Sequence, residues 1–351
     1  MNCSVILFKN SESEFDANIQ AKVVSKLNGY ALRPSSLTWL CSGDEQGFDS
    51  LISRPFDVLV VVNDIFAGFD LKGVLAEKSI RPDSDGFCLT DDGRLVCLFN
   101  LNDGFDQVFT LNLSKFYGYT VGKCSFKLFG LDGQTIKNGC QTIQGKYDGL
   151  SFNVNYDSGD ALVDVFYTEN TTKMQLDLAL KEFLSTFADN VYATDDISIE
   201  QCLYDMAKLR RLKISTAESM TGGRICSRIV GVDGASDVFY EGMVTYDTQA
   251  KIQRLDVSRE AVQRFSVVSA EVAYEMALGL MKSADLGISI TGYAGSTINK
   301  SPDDGLCFIG VAYKGRVNTY RFVFGGTRKE NIEYASGTAL FLAIKTIKNY
   351  D

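Results

Sequence analysis

The sequence predicts a multi-domain α/β protein with layered α/β/α sheets. Short continuous apolar runs, typical of strands buried on both faces, alternate along the chain with segments whose apolar residues recur at helical spacing. Residues 56–62 (FDVLVVV) are a run of the first kind, and residues 199–209 are a segment of the second kind. The chain has 351 residues. At roughly 100–200 residues per domain, that length predicts two or three domains.

The first two units are predicted from their apolar runs. Strands expected at residues 56–62, 94–99 and 108–113 indicate an α/β unit over residues 1–119. A second unit, over residues 120–192, has expected strands at 125–131 and 161–167. They are followed by an amphipathic helix over 172–187, whose leucines and Phe183 form an apolar stripe.

The third unit, residues 193–351, begins with a helix start signal. Ser198 followed by Gln201 is a capping-box pattern, and Ser269 is a second expected N-cap. Strands are predicted at 212–216, 242–246, 286–291, 306–313 and 317–324, with helices over 221–229, around Lys251 and from about Lys329. This alternation of strands and helices predicts a layered α/β fold.

The composition excludes several classes of function. The formal charge of −9, from 44 acidic and 35 basic residues, argues against nucleic-acid binding, which needs a basic face. No apolar run approaches the roughly 20 residues of a membrane span, and the N-terminus does not resemble a signal peptide. We therefore expect a cytoplasmic protein that binds no membrane. The nine cysteines show no CxxC spacing, which favours buried free thiols over disulfides or a metal site.

The segment TAESMTGG, residues 216–223, carries a candidate nucleophile in a chain without histidine. The missing histidine excludes a Ser-His-Asp triad and histidine-ligated zinc, so a catalytic Ser219 needs lysine or tyrosine as its base. The glycines and the amides at the following helix start suit a phosphate or a developing oxyanion. A simple helix N-cap is the alternative interpretation of this turn.

Three further motifs accompany that segment: VTYDTQAK (244–251), VVSAEVA (267–273) and ITGYAG (290–295). Together, in this order, they resemble the C-terminal domain of the CinA family, a nicotinamide-nucleotide amidase that hydrolyses nicotinamide mononucleotide to nicotinate mononucleotide and ammonia. The resemblance implies no cofactor or metal and a homodimer. It implies Ser219 as the nucleophile, Lys251 and Tyr246 as catalytic partners, and substrate binding by Thr221, Gly222, Gly223, Gly292, Gly295 and Arg328.

Each of these residues also has a structural interpretation. A lysine is usually a solvated surface charge, a strand tyrosine is usually half-buried packing, and an arginine after a Gly-Gly turn usually contacts solvent at a helix start. The loop 296–304 also departs from the family, because it lacks the proline and the glycine-rich run expected after AG. A catalytically inactive nucleotide-binding or scaffold protein is therefore the alternative function.

The first two units resemble the other domains of full-length family members. Residues 1–119 resemble a molybdopterin-binding domain, but residues 63–68 and 100–103 lack the glycines and prolines of its ligand loops. Without glycine the backbone amides cannot approach an anion closely, so we expect a degenerate domain that lacks ADP-ribose pyrophosphatase activity. Asp64, Asp70 and Asp103 are weak metal-ligand candidates. Residues 120–192 resemble a small KH-like domain without a basic GxxG loop, which argues against RNA binding.

Overall fold

A computed structural model of the chain describes residues 3–9, 20–21, 23–24, 27, 34–41, 43–63, 71–82, 86–90, 93–100, 122–168, 171–295 and 301–350. The chain divides into two compact units. One comprises Met1–Lys123, Gln144–Asn153 and Asp164–Ala179, and the other Cys124–Ile143, Val154–Val163 and Leu180–Asp351. The mixed α/β architecture that the sequence predicts is confirmed. The division into three domains stays a prediction.

The first sheet has five strands in the order β2-β1-β3-β5-β4. Its elements are β1 (Cys3–Lys9), β2 (Pro34–Cys41), α1 (Glu45–Ile52), β3 (Val58–Asn63), α2 (Leu71–Glu77), β4 (Phe87–Leu89) and β5 (Leu95–Asn100). All pairs are parallel except β4 with β5. Along β3, alternate residues pack into two separate apolar clusters, as the continuous apolar run predicts for a strand covered on both faces.

The second sheet has four strands in the order β7-β8-β6-β9. Its elements are β6 (Gly122–Phe129), α3 (Gly133–Gln144), β7 (Leu150–Asp157), β8 (Asp160–Tyr167), α4 (Lys173–Thr186) and β9 (Val191–Ala193). The predicted strands at 125–131 and 161–167 and the helix over 172–187 are confirmed to within a few residues. The predicted strand at 108–113 and the aspartates 64, 70 and 103 lie outside the described residues.

The third sheet has the order β11-β10-β12-β13-β14. Its elements are α5 (Ile199–Arg210), β10 (Ile214–Glu218), α6 (Arg224–Val230), β11 (Phe239–Val244), α7 (Thr248–Leu255), α8 (Arg259–Phe265), α9 (Ala270–Leu280), β12 (Leu286–Gly292), β13 (Leu306–Tyr313), β14 (Arg316–Val323) and α10 (Arg328–Tyr350). β10, β11 and β12 are parallel, whereas β13 and β14 run antiparallel to their neighbours. One apolar cluster includes α5, α6 and α10, and another includes α7, α8 and α9. The sheet is therefore covered on both faces.

Local sequence signals set the ends of several elements. Ser198 and Ser269 cap α5 and α9 as predicted, although the Gln201 side chain donates to Asp205 instead of completing a capping box. The helix expected over 221–229 begins only at Arg224. The reason is that the two preceding glycines have φ of +60° and +96°, outside the range of a right-handed helix.

Two general properties follow from the described residues. In this part of the chain no helix combines the length and the apolar character that crossing a bilayer requires. All nine cysteines are free thiols, but only five of them are buried and Cys41 is exposed, so the expectation of buried thiols holds for part of the set. Burial raises the pKa of the Cys3 thiol to about 11, so this thiol is protonated at neutral pH.

Candidate functional site

The topology of the third sheet brings the predicted site residues to one edge. Because β10, β11 and β12 are parallel, their carboxyl ends and the loops that follow meet at the same edge of the sheet. These loops carry Ser219, Tyr246 and Gly295. β14 also ends at this edge, since Leu306 pairs with Val323, and the turn after it leads to Arg328.

Ser219 lies directly after β10, a strand whose five residues are all buried. Its N–H donates to the carbonyl of Ile290 at 3.1 Å, so the serine is held beside β12. Gly222 and Gly223 then turn the chain into α6 with left-handed backbone conformations. An added Cβ at Gly222 would meet nothing within 4 Å, so conformation rather than space demands glycine there.

Lys251 lies on α7, one turn after the N-cap residue Asp247, and is only 2% exposed. Its Nζ is 3.0 Å from the Oγ of Ser219 and 2.6 Å from the carbonyl oxygen of Thr245. A third contact, at 3.3 Å, joins Nζ to the carbonyl oxygen of Tyr246. The structure therefore brings together the serine and the lysine, which the sequence separates by 32 residues.

Burial changes the acid-base behaviour of this lysine. Desolvation lowers the pKa of Lys251, and the nearby carboxylate of Asp247 opposes that shift only in part. A neutral amine has two N–H donors and one lone pair. In the structure Nζ donates to the Ser219 Oγ as well as to the carbonyls of Thr245 and Tyr246. In the neutral form, whose two donors can go to the carbonyls, the lone pair faces the Ser219 hydroxyl. The arrangement can therefore remove the proton from the serine.

Tyr246 contributes its backbone to this centre. Its carbonyl accepts the bond from Lys251, whereas its side chain is 63% exposed at the sheet edge. Among the described residues, no group forms a hydrogen bond with its hydroxyl. A catalytic role for the Tyr246 hydroxyl stays a prediction.

The glycines of the loop after β12 have different structural roles. A Cβ at Gly292 would lie 2.5 Å from both the Met220 Sδ and the Cys307 Cβ, so a side chain there would displace the residue that follows the serine. Gly295 has a φ of +98°, and its carbonyl accepts a bond from the Arg328 guanidinium at 3.2 Å. Two of the predicted substrate-binding residues, Gly295 and Arg328, are therefore in contact.

A residue that the sequence did not single out organises that contact. Asn331 is 1% exposed, and its amide donates to the carbonyls of Ala294 and Gly326 at 3.0 Å each. Its side-chain oxygen accepts from the N–H of Gly326 at 2.9 Å. Asn331 therefore joins the loop after β12 to the turn that precedes Arg328.

Glu218 is the second residue missed from sequence. It ends β10, is 1% exposed, and its carboxylate accepts three backbone N–H groups from the start of α6. One of these donors is Gly223, whose amide the sequence assigned to a substrate phosphate. The amide of Gly222 also has an acceptor, the carbonyl of Ser219. The only available signal was a carboxylate as the last residue of a strand with no other charged residue.

A cavity of about 670 Å³ lies near the first turns of α6 and α10. Its lining includes the ion pairs Arg224–Glu333, Arg228–Glu200 and Lys127–Asp160. Because these charges are paired with one another, the cavity offers few free groups for an ionic ligand. Among the described residues, no group of three or more histidine, cysteine, aspartate or glutamate side chains is placed to hold a metal.

Comparison with known proteins places the serine-lysine pair within a matched region. The family model described as the CinA C-terminal domain matches residues 196–347. A competence-damage inducible protein of Caldicellulosiruptor saccharolyticus is 34% identical over 283 residues, which cover 76% of this chain and 67% of that protein. A CinA-like protein of Kosmotoga olearia is 39% identical over 154 residues, covering 43% of this chain and 37% of that protein.

Solved structures of the CinA superfamily and of a competence/damage inducible protein also match part of the chain. A CinA superfamily protein from Escherichia coli is 31% identical, with 42% of this chain and 88% of that chain covered and a TM-score of 0.40. A competence/damage inducible protein from Agrobacterium tumefaciens is 29% identical, with 43% and 93% covered and a TM-score of 0.39.

Proposed function

This chain belongs to the CinA family, and from that membership and the Ser219–Lys251 pair we propose that it is an amidohydrolase. The proposed reaction converts nicotinamide mononucleotide and water into nicotinate mononucleotide and ammonia. The observation that carries the proposal is the 3.0 Å contact between the Lys251 Nζ and the Ser219 Oγ. It is supported by a sequence that contains no histidine to serve as an alternative base.

The reaction begins with proton transfer from Ser219 to the neutral amine of Lys251. The Oγ attacks the carboxamide carbon of the substrate, and the carbonyl electron pair moves onto oxygen to give a tetrahedral adduct. The adduct collapses as the Lys251 ammonium returns a proton to the leaving nitrogen, so ammonia departs and an ester remains on Ser219. Water, deprotonated in turn by Lys251, attacks the ester carbonyl. The adduct collapses as the Lys251 ammonium returns that proton to the Ser219 Oγ, which releases nicotinate mononucleotide and restores the free serine and the neutral amine.

The substrate phosphate is assigned to Arg328. Its guanidinium lies at the sheet edge that carries Ser219, contacts the carbonyl of Gly295, and begins α10. A guanidinium can form paired, charge-assisted hydrogen bonds with phosphate oxygens. The amides of Gly222 and Gly223 already have acceptors, so in this proposal those glycines shape the turn and the arginine binds the anion.

The proposal is tested by measuring ammonia and nicotinate mononucleotide after incubation of the full chain with nicotinamide mononucleotide, with and without a metal chelator. We expect equal molar amounts of both products, no effect of the chelator, and loss of both products in Ser219→Ala. Tight binding of the mononucleotide without turnover would instead favour a nucleotide-binding or scaffold protein. Metal-dependent cleavage of ADP-ribose that survives Ser219→Ala would assign an activity to residues 1–119.

A further inference from the structure

The turn after β10 has an unusual distribution of backbone hydrogen bonds. The N–H of Ser219 donates to Ile290, that of Gly222 to the Ser219 carbonyl, and that of Arg224 to the Thr221 carbonyl. The N–H groups of Gly223, Ile225 and Cys226 donate to the Glu218 carboxylate at 3.1, 3.1 and 2.8 Å. Nearly every donor of this segment therefore has an acceptor, as is general for buried backbone.

Two consecutive donors are the exception. Among the described residues, the N–H groups of Met220 and Thr221 have no acceptor, although these residues are only 3% and 4% exposed. The hydroxyl of Thr221 is also buried and has no hydrogen-bond partner. Buried donors without protein partners are rare in folded proteins, and ordered water or a ligand normally completes them. Here three such donors directly follow the candidate nucleophile.

We propose that the N–H groups of Met220 and Thr221 and the hydroxyl of Thr221 form the oxyanion site for acyl transfer to Ser219. We also propose that Glu218 is the positioning residue of this site. The inference rests on the proposed function in one respect, because it requires an acyl carbon bonded to the Ser219 Oγ. When that bond forms, the carbonyl electron pair moves to oxygen, and donors next to the nucleophile stabilise the resulting charge.

Glu218 explains why only these donors are left. Its carboxylate occupies the first-turn amides of α6, so an anion at the site cannot bind them instead. Its own carbonyl accepts the N–H of Thr245 at 2.8 Å, and the Thr245 carbonyl accepts from Lys251. One residue therefore fixes the turn that carries the donors and the strand end that orients the base.

If these residues form and position the oxyanion site, their variants should react more slowly at Ser219 even when they remain folded. Thr221→Val keeps the shape of the side chain and the N–H but removes the hydroxyl. Glu218→Gln places an NH₂ group where a carboxylate oxygen accepts a backbone N–H. Ser198→Ala is the matched control, because it removes a helix cap of the same unit at a position remote in sequence from the turn.

The test measures covalent labelling of Ser219 by diisopropyl fluorophosphate, followed by mass spectrometry, because phosphorylation of serine passes through a similar oxyanion and needs no knowledge of the natural substrate. We expect Thr221→Val and Glu218→Gln to label about 100-fold more slowly than the wild type, at the lower end of the range for loss of one oxyanion donor. Ser198→Ala should label at the wild-type rate. With nicotinamide mononucleotide, the same two variants should lose kcat while KM changes less than about threefold.

Several outcomes would overturn the inference. If Thr221→Val is labelled at the wild-type rate, the proposed oxyanion site is refuted. This result refutes it even if Glu218→Gln does not fold. If the labelling rate of Glu218→Gln falls only as far as its folded fraction falls, the loss is one of stability, and Glu218 has no positioning role. Absence of wild-type labelling also contradicts it. Fast wild-type labelling, with slow variants but no hydrolysis of nicotinamide mononucleotide, would overturn the proposed substrate and support this site.

Discussion

Replacement of Lys251 by methionine separates catalysis from stability most sharply. Methionine is close to lysine in length and is apolar, so it fills the buried space on α7 without a base. In Lys251→Met the carbonyl of the buried residue Thr245 loses its 2.6 Å donor, which costs about 1–3 kcal/mol. The carbonyl of Tyr246 is only partly buried, so loss of its donor costs less. Removal of the buried, desolvated amine is itself favourable and offsets part of these two costs in the free energy of unfolding.

The expected change in the free energy of unfolding is therefore no more than about 3 kcal/mol, within the about 5–15 kcal/mol that a folded domain has. Loss of a positioned general base lowers kcat by about 10²–10⁴-fold. Ammonia release gives kcat, and urea unfolding of the same preparation gives the stability. A folded Lys251→Met enzyme that retains more than about one tenth of the wild-type kcat would refute the role of Lys251, since general-base catalysis contributes at least about 10²-fold.

Three further predictions follow from the same geometry. Because desolvation lowers the pKa of Lys251 and the neutral amine is the active form, kcat/KM should rise with pH through that pKa and then level off; a rate that falls over this range would contradict the assignment. Arg328→Ala should raise KM for nicotinamide mononucleotide about tenfold or more, the equivalent of one charge-assisted hydrogen bond. Its KM for nicotinamide riboside, which lacks the phosphate, should be unchanged, and an equal effect on both would argue against phosphate binding. Asn331→Ala leaves polar groups at Ala294 and Gly326 unpaired, so urea unfolding should show a decrease of about 2–5 kcal/mol in the free energy of unfolding. An unchanged unfolding midpoint would refute the role of Asn331 in joining the two loops.

The protonation of Lys251 also links pH to stability. Its folded-state pKa lies below the ordinary lysine value, so the unfolded chain binds more protons between those two values. Stability from this group is present above the ordinary pKa and is lost as pH falls through the lowered one. Lys251→Met removes that dependence, so the difference in unfolding free energy between wild type and variant should change with pH over this window.

Several strands, such as β3, β5 and β12, were predictable because their apolar patterns are local, whereas β1, β2 and β7 were not predicted. Residues 56–62 form a continuous apolar run and the structure buries both faces of β3. Helix α6 begins three residues later than predicted, because Gly222 and Gly223 have left-handed backbone conformations that a right-handed helix does not allow. Helix ends depend on such single backbone conformations, which periodicity does not record.

The candidate site was predictable in its residue types but not in its burial. α7, with the sequence TQAKIQRL, is polar along most of its length, so nothing local indicates that Lys251 is desolvated. Its burial comes from the ends of β10 and β11, which are distant in sequence. Asn331 was missed in part for the same reason, since its partner Ala294 is 37 residues away. The partners of Glu218 are close in sequence, but they are backbone amides that no residue pattern marks.

The central claim is that Ser219, activated by Lys251, forms a covalent ester with the substrate. The most direct test is an acid quench during turnover of nicotinamide mononucleotide, followed by mass spectrometry of the peptide that contains Ser219. We predict a nicotinate-mononucleotide ester on Ser219 in the wild type, and neither ester nor ammonia release in Ser219→Ala. Hydrolysis by Ser219→Ala at the wild-type rate would contradict the claim.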